Sequence, residues 1–262
     1  MLDDIKISSA IIDSYFEKLK DILELDVALV GAGPANMVCG TILGENGIKA
    51  AIFESKLSPG GGMWGGGMMF NEIVVQESAL EILEKFEINY KEYKDGYYTA
   101  DSVEATSSLI NKSVKSGTRI FNLIKIEDVM FREEEEEKRV GGLVLQWSPV
   151  NHLDLHVDPL TVRSKFVVDG TGHPAEVCTL VSLKMNTKLN TITGSVVGEM
   201  SMWADRGEEL TVENSKEVFK GLYVVGMAAN AAFGSPRMGP IFGGMLRSGE
   251  KVAKEITSIL NK

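Results

Sequence analysis

The chain has 262 residues, 44% of them hydrophobic and 24% charged. These are the proportions of an ordinary globular protein, with room for one large α/β domain or a domain with a small insert. Its net charge of −10 argues against a nucleic-acid partner, which requires a basic face. Two cysteines, Cys39 and Cys178, are too few for a disulfide scaffold or an all-cysteine metal site, which points to a reduced, cytoplasmic setting. No apolar run is long enough to span a bilayer, and the acidic N-terminus lacks the basic segment and apolar core of a signal peptide, so no membrane partner is expected.

In chain order, residues 9–24 place Ile11, Ile12, Tyr15, Phe16, Leu19, Ile22 and Leu23 on one helical stripe, a helix that caps the domain or packs on a partner subunit. Residues 26–31 form an apolar strand without alternation, as suits burial on both faces. Residues 34–43 read as a helix, and residues 49–53 as a second buried strand ending at Glu54. A glycine-dense loop, residues 60–67, precedes helices at 78–86 and 102–116 and a strand at 118–126. The acidic run Glu133–Glu137 reads as a solvated hairpin loop between β-like stretches at 124–131 and 141–147. Residues 143–147 and 153–157 look like paired strands about a turn at 148–151, a small β-meander inserted at about 124–158. Residues 166–173 and 221–227 are apolar strands running into glycine turns, and 243–260 is a C-terminal helix. The expectation is one α/β domain over residues 1–262, a Rossmann-like FAD/NAD-binding three-layer fold with a mainly parallel sheet.

Strand, Gly31-Ala-Gly33, then helix is the arrangement that pyrophosphate binding requires. Gly31 permits the tight turn, and Gly33 lets the backbone approach phosphates held at the helix N-terminus. The third fingerprint position is Asn36, where Gly or Ala is usual. Glu54 ends the second strand about 20 residues on, where an acid holds ribose hydroxyls. An acid there disfavours a 2′-phosphate, so NADP is not expected; FAD and NAD remain open. A turn that merely joins strand to helix is the plainer alternative.

The three histidines of the chain fall near one another. His152, Asp154, His156 and Asp158 share one face if this stretch is a strand, and His173 follows a Gly-Thr-Gly turn. Two imidazoles and a carboxylate with open positions suit Fe(II), Zn or another divalent metal, with His152 the one better read as a surface residue. Arg237, in a Gly/Pro-rich turn before the last helix, is placed to clamp a carboxylate through its planar fork. Cys39, within the first α/β helix, reads as a small core residue.

Gly31-Ala-Gly-Pro, Phe53-Glu-Ser, Pro59-Gly-Gly-Gly-Met-Trp-Gly-Gly-Gly-Met-Met-Phe, His156-Val-Asp-Pro, Gly170-Thr-Gly-His and Arg237-Met-Gly-Pro-Ile-Phe-Gly-Gly-Met together resemble the thiamine thiazole synthase family, in family order from about residue 27 to 249. The resemblance implies that NAD is a substrate. It loses nicotinamide, condenses with glycine and takes up sulfur to give an ADP-linked 5-hydroxyethyl-4-methylthiazole carboxylate. Members that give up their own sulfur carry a cysteine two residues before the Asp-Pro aspartate; here that position is His156. The chain therefore resembles the archaeal branch, which takes external sulfide with Fe(II) and turns over repeatedly. The resemblance also implies site roles. Asp158 and His173 would ligate Fe(II), with one ligand supplied by a neighbouring subunit of a homo-octamer, and His156 would be an acid or base beside the metal. Glu54 and Ser55 would hold the adenosine ribose, with Ala35, Asn36 and Gly62 near the dinucleotide. Ile126 would hold adenine by its backbone, Met227 would line the site, and Arg237 would bind the glycine carboxylate. A flavin- or NAD-dependent oxidoreductase that retains its cofactor is the competing reading, and a non-catalytic dinucleotide binder a third. Sulfur donation from Cys178 is a further possibility within the first.

Overall fold

A computed structural model describes residues 1–134 and 137–262. Helix α1 (Asp4–Asp21) begins where the Asp3 carboxylate accepts the N–H groups of Ile5 and Lys6 at 2.9 and 3.2 Å, an N-cap that starts the helix five residues earlier than its apolar stripe suggests. Strand β1 (Glu24–Val30), helix α2 (Pro34–Glu45) and strand β2 (Ala50–Glu54) form the first βαβ unit. A 3₁₀ turn at Gly61–Gly65 leads to β3 (Glu72–Gln76), α3 (Leu80–Lys85), β4 (Lys91–Lys94), β5 (Tyr97–Asp101), α4 (Ser102–Lys115) and β6 (Arg119–Asn122). The chain continues through β7 (Ile124–Glu134), β8 (Glu137–Trp147), α5 (Ser148–His152), β9 (Leu160–Asp169) and α6 (Glu176–Lys184). It ends with α7 (Ala204–Asn214), β10 (Glu217–Phe219), β11 (Leu222–Val224), α8 (Met227–Phe233) and α9 (Gly243–Leu260).

The main sheet runs β10-β11-β9-β1-β2-β6, with β11, β9, β1, β2 and β6 all parallel. Strand β9 is long enough to share one edge end to end. Its first half pairs antiparallel with β8 and its last residues pair with β11, so the β7–β8 hairpin is an extension of the same sheet. Strands β3, β5 and β4 make a separate antiparallel sheet. Alternation along β1 divides the core. Val27 and Leu29 pack with α2, α4 and α9 on one face, and Ala28 and Val30 pack with α6, α8 and the β7–β8 arm on the other. The result is the expected α/β layering over a mainly parallel sheet. Helix α9 lies so close on α2 that a Cβ on Gly249 would stand 2.0 Å from the Ala35 carbonyl oxygen.

Three expectations are corrected. The 118–126 strand is two strands, broken at Leu123, which adopts φ 57°; Arg119–Asn122 pairs with β2 and Ile124 opens the hairpin arm. Residues 153–157 are not a strand. Pro149 starts a helical turn, Asp154 turns left-handed at φ 51°, and the edge of β8 is taken by Leu160–Arg163 of β9. Of the two roles open to helix α1, capping the domain is not the one its burial supports: none of its residues is buried, and Ile5, Ile11, Ile12 and Phe16 stand in solvent. Only Tyr15, edge-on to Phe121 at 6.1 Å, and Leu19 lean on the body. Of the acidic run, Glu133 and Glu137 are exposed on β7 and β8; residues 135 and 136 lie outside the described residues. No described helix is long and apolar enough to cross a membrane.

Helix α9 starts against a buried acid. Glu208, on α7, accepts the Gly244 N–H at 2.5 Å, and a Cβ on Gly243 would meet its carboxylate at 2.6 Å. Burial raises the Glu208 carboxyl to about 7, against the pull of the Gly244 N–H and Arg247. Because the folded value lies above the unfolded one, the fold binds the proton more tightly. Stability contributed by this group is present below about 4.5 and falls as pH rises towards about 7. Glu208→Gln is expected to remove that fall, leaving the variant more stable than the parent at pH 8 by on the order of 2 kcal/mol. Urea unfolding of both at pH 5 and pH 8 checks it; an equal pH slope in the two proteins would contradict the assignment.

Candidate functional site

Strand β1 has β2 on one side and β9 on the other, so the crossovers depart in opposite directions and leave a crevice beyond the carboxyl ends of the strands. A cavity of about 600 Å³ occupies this crevice, within the range of small-molecule sites. Four chain segments converge on it with backbone nearly touching backbone. Gly31 takes φ +85°, and a Cβ there would lie 2.7 Å from the Gly170 carbonyl oxygen. The glycine loop passes so close that a Cβ on Gly61 would lie 3.3 Å from the Gly33 Cα, and one on Gly226 3.3 Å from the Ala35 Cβ. Gly60 donates to the Ala32 carbonyl at 2.8 Å, which pins that loop to the βα turn. The helix α2 N-terminus, capped by Gly33, therefore opens onto the cavity, with its positive dipole end available to an anion.

Glu54 ends β2 buried and fixed. Its Oε2 accepts the Ala32 N–H at 2.8 Å, and its Oε1 accepts the Lys56 N–H at 2.8 Å and the Ser55 hydroxyl at 3.3 Å. Oε2 keeps a lone pair for a further donor, and the longer Ser55 contact on Oε1 can give way to another. Gly31, Gly33, Ala35, Glu54, Ser55, Gly62, Ile126, Met227, His173 and Arg237 all line the cavity. Asn36 does not. It is fully buried, donates through Nδ2 to the carbonyls of Val30 and Gly31 at 2.8 Å each, and fills the space left by the missing side chain of Gly170. The departure from the glycine fingerprint is thus a brace under the loop, set off from the ligand.

At the far end of the cavity a buried acid organises a turn. The Asp169 Oδ1 accepts the N–H and hydroxyl of Thr171 at 3.0 and 2.7 Å, and its Oδ2 accepts the Cys178 N–H at 3.0 Å; Thr171 in turn accepts the Glu176 N–H at 2.8 Å. This turn carries His173. Its Nδ1 lies 2.8 and 2.6 Å from the two carboxylate oxygens of Glu199, and Arg237 Nε lies 4.0 Å from Glu199 Oε2. Burial raises the Asp169 carboxyl, and burial together with the neighbouring Asp169 raises the Cys178 thiol well above its ordinary value. Cys39 is likewise buried, and its thiol is pushed up by desolvation. Neither sulfur is presented as a thiolate.

His156 and Asp158 stand apart from the cavity lining, on the exposed stretch between α5 and β9. Leu153, Leu155 and Val157 beside them are more than half exposed, and the Val157 carbonyl accepts from Gln146 Nε2 at 2.8 Å. The expected His-x-Asp-x-His-x-Asp face does not form, because it required strand alternation. Among the described residues no three His, Cys, Asp or Glu side chains assemble as a metal cage. The sequence reading missed Glu199, as well as Thr171, Lys56 and Glu176 on the lining. A lone acid in a stretch without regular structure gives no local signal; only its contact with His173 marks it.

The chain matches the model of the Thi4 family over residues 8–242. Thiamine thiazole synthases of Desulfosudis oleivorans and Pyrococcus furiosus are each 56% identical to it, over 97% and 98% respectively of both chains compared. The crystal structure of Thermovibrio ammonificans THI4 matches with a TM-score of 0.99 at 55% identity, each chain covered in full. With likeness over nearly its whole length, the chain belongs to the Thi4 family.

Proposed function

We propose that the chain is a thiamine thiazole synthase that consumes NAD and glycine, takes sulfur from external sulfide and uses Fe(II). The observation that carries this reading is one cavity that joins the βα turn, Gly31–Ala35 with Glu54, to a polar end formed by His173 and Arg237 with Glu199 behind them. Glu54, with its carboxylate already oriented by the Ala32 and Lys56 N–H groups, would accept the adenosine ribose hydroxyls beside Ser55. The α2 N-terminus would face the pyrophosphate, and Ile126 and Met227 would contact the adenosine and the remainder of the ligand.

At the polar end Arg237 would pair its guanidinium with the glycine carboxylate. A neutral His173 that donates Nδ1–H to Glu199 presents Nε2 as a free lone pair, the carboxylate–histidine arrangement that supports metal ligation. His173 and Asp158 would hold the iron, a nitrogen and oxygen donor set that suits Fe(II). When bound, the metal would supply Lewis acidity and a coordination position for sulfide. Because Asp158 lies off the lining of its own chain, it would come from a neighbouring copy in a homo-oligomer, with His156 beside it. The exposed apolar residues around Asp158 and along α1 support such packing. The chain's own sulfur supports an external donor: position 156 holds no thiol, and Cys39 and Cys178 are both buried, with burial pushing each thiol up.

The reading predicts that purified protein given NAD, glycine, sulfide and Fe(II) without oxygen forms the adenylated thiazole over many turnovers, with an unchanged chain mass. Mass spectrometry of product and protein checks both at once; intact NAD, or loss of one sulfur per chain, would overturn it. Asp158→Ala and His173→Ala should each weaken iron binding by more than about 100-fold, beyond the usual effect of losing an outer-shell partner, while NAD affinity is kept. Stoichiometric iron in both variants would refute the ligand assignment. Arg237→Ala should raise the glycine KM by about tenfold or more, the scale of a lost charge-assisted pair. Kinetics with varied glycine test this, and an unchanged KM would count against the clamp.

A further inference from the structure

The polar end of the cavity depends on a side chain that no motif marks. Residues 197–203 form a strap laid along residues 231–237. Val197, Gly198 and Met200 donate to the carbonyls of Ala232, Ala231 and Ser235, and Arg237 and Trp203 donate to those of Met200 and Arg237, all within 2.9–3.3 Å. Met200 and Pro236 face each other in a parallel bridge, which sets Glu199 beside Arg237. The underlying turn is itself rigid. The buried Asn230 amide donates to the Gly207 and Pro236 carbonyls and to the Thr211 hydroxyl, and Asn214 donates to the Ser235 hydroxyl at 2.8 Å. The backbone on either side of Glu199 is thus held by the strap pairing and the rigid turn beneath it.

Its surroundings are asymmetric. The Glu199 side chain is 13% exposed, whereas those of His173 and Arg237 are 52% and 58% exposed. The carboxylate is the nearly buried anchor and its two partners are the more exposed groups, both on the cavity lining. By accepting Nδ1–H it selects the His173 tautomer with Nε2 free and holds the ring plane. The Nε edge of Arg237 lies 4.0 Å from the carboxylate, a charge attraction beyond hydrogen-bond reach, and the outer nitrogens of the guanidinium make no hydrogen bond to it, so they would be available to a second carboxylate. Glu199 also puts a negative charge beside both His173, which would carry the metal cation, and the Arg237 guanidinium, two positive charges that would otherwise repel.

We infer that Glu199 is a positioning residue shared by the metal ligand and the amino-acid clamp, so that its charge couples the binding of a divalent cation to the binding of an amino-acid carboxylate. The inference rests on the reading of this end as the iron and glycine site. It predicts a two-part defect that damage to the fold alone would not produce. Without oxygen, Glu199→Ala should lower Fe(II) affinity about 10- to 100-fold, the range for loss of an outer-shell partner. Glu199→Gln, whose amide oxygen still accepts Nδ1–H, should lose less Fe(II) affinity. Both variants should raise the glycine KM several-fold, because both remove the charge facing Arg237, with NAD affinity unchanged.

The experiment is an anaerobic Fe(II) titration of the full chain, monitored by bound iron after gel filtration, beside NAD binding and glycine kinetics, for wild type, both Glu199 variants and His173→Ala. Wild-type Fe(II) affinity and glycine KM in both Glu199 variants, with iron lost in His173→Ala, would overturn the inference and leave the site reading standing. Iron retained in His173→Ala would overturn the site reading itself. Should the alanine variant fail to fold, the near-isosteric glutamine variant decides: an unchanged glycine KM in it would overturn the inference.

Discussion

The structure depends on one steric constraint, the convergence of backbone on backbone at the carboxyl ends of β1 and β9. Gly31 turns left-handed directly against the Gly170 carbonyl, leaving no space for a side chain. Gly170 in turn gives its own side-chain volume to Asn36, whose amide holds the loop carbonyls of Val30 and Gly31. The same contact brings the α2 N-terminus within reach of the turn that carries His173. A side chain at either glycine would push apart the two halves of the cavity, the one that would hold the dinucleotide and the one that would act on it.

Around that contact the polar groups follow a consistent pattern. Acids that lie deep, Glu54 and Asp169, are spent mainly on backbone N–H groups, so they fix loops. Groups left partly exposed, His173 and Arg237, face the cavity and are steadied by one nearly buried carboxylate, Glu199. Rigid anchors beneath adjustable ligands are what a site needs if it must hold several small reactants in register, because orientation is then set before binding.

The βα-turn half of the cavity was legible in the sequence because its signals are local. An apolar strand, two glycines, a helix and an acid at the next strand end specify a turn and a ligand position within some 25 residues, and the structure brings Gly31, Gly33, Glu54 and Ser55 to one cavity. Asn36 could be placed at the right loop but its role could not be read, since its partner in packing, Gly170, is far away in sequence. The other half was only partly legible. His173 and Arg237 stood out by composition and reach the cavity. Strand alternation put His156 and Asp158 on one face with His152 and Asp154, and only the family resemblance joined them to His173; the structure replaces that strand with a helical turn and an exposed stretch because β9 occupies the edge of β8. Glu199 was invisible because it sits in a strap without regular structure, and its position depends on the pairing of Met200 with Pro236, which α7, β10, β11 and α8 separate in sequence. The apolar stripe of α1 was read correctly as a stripe, but periodicity does not say what covers it.

The central claim is that the dinucleotide is the reactant and spans the cavity, with adenosine at Glu54 and its reacting end at His173 and Arg237. A crystal structure of the chain with ADP-ribose, which keeps the reacting sugar and lacks nicotinamide, tests this most directly. The account predicts the adenosine ribose hydroxyls on the Glu54 carboxylate, the pyrophosphate at the α2 N-terminus and the distal ribose beside His173 and Arg237. A distal ribose pointing to solvent, away from His173 and Arg237, would contradict it.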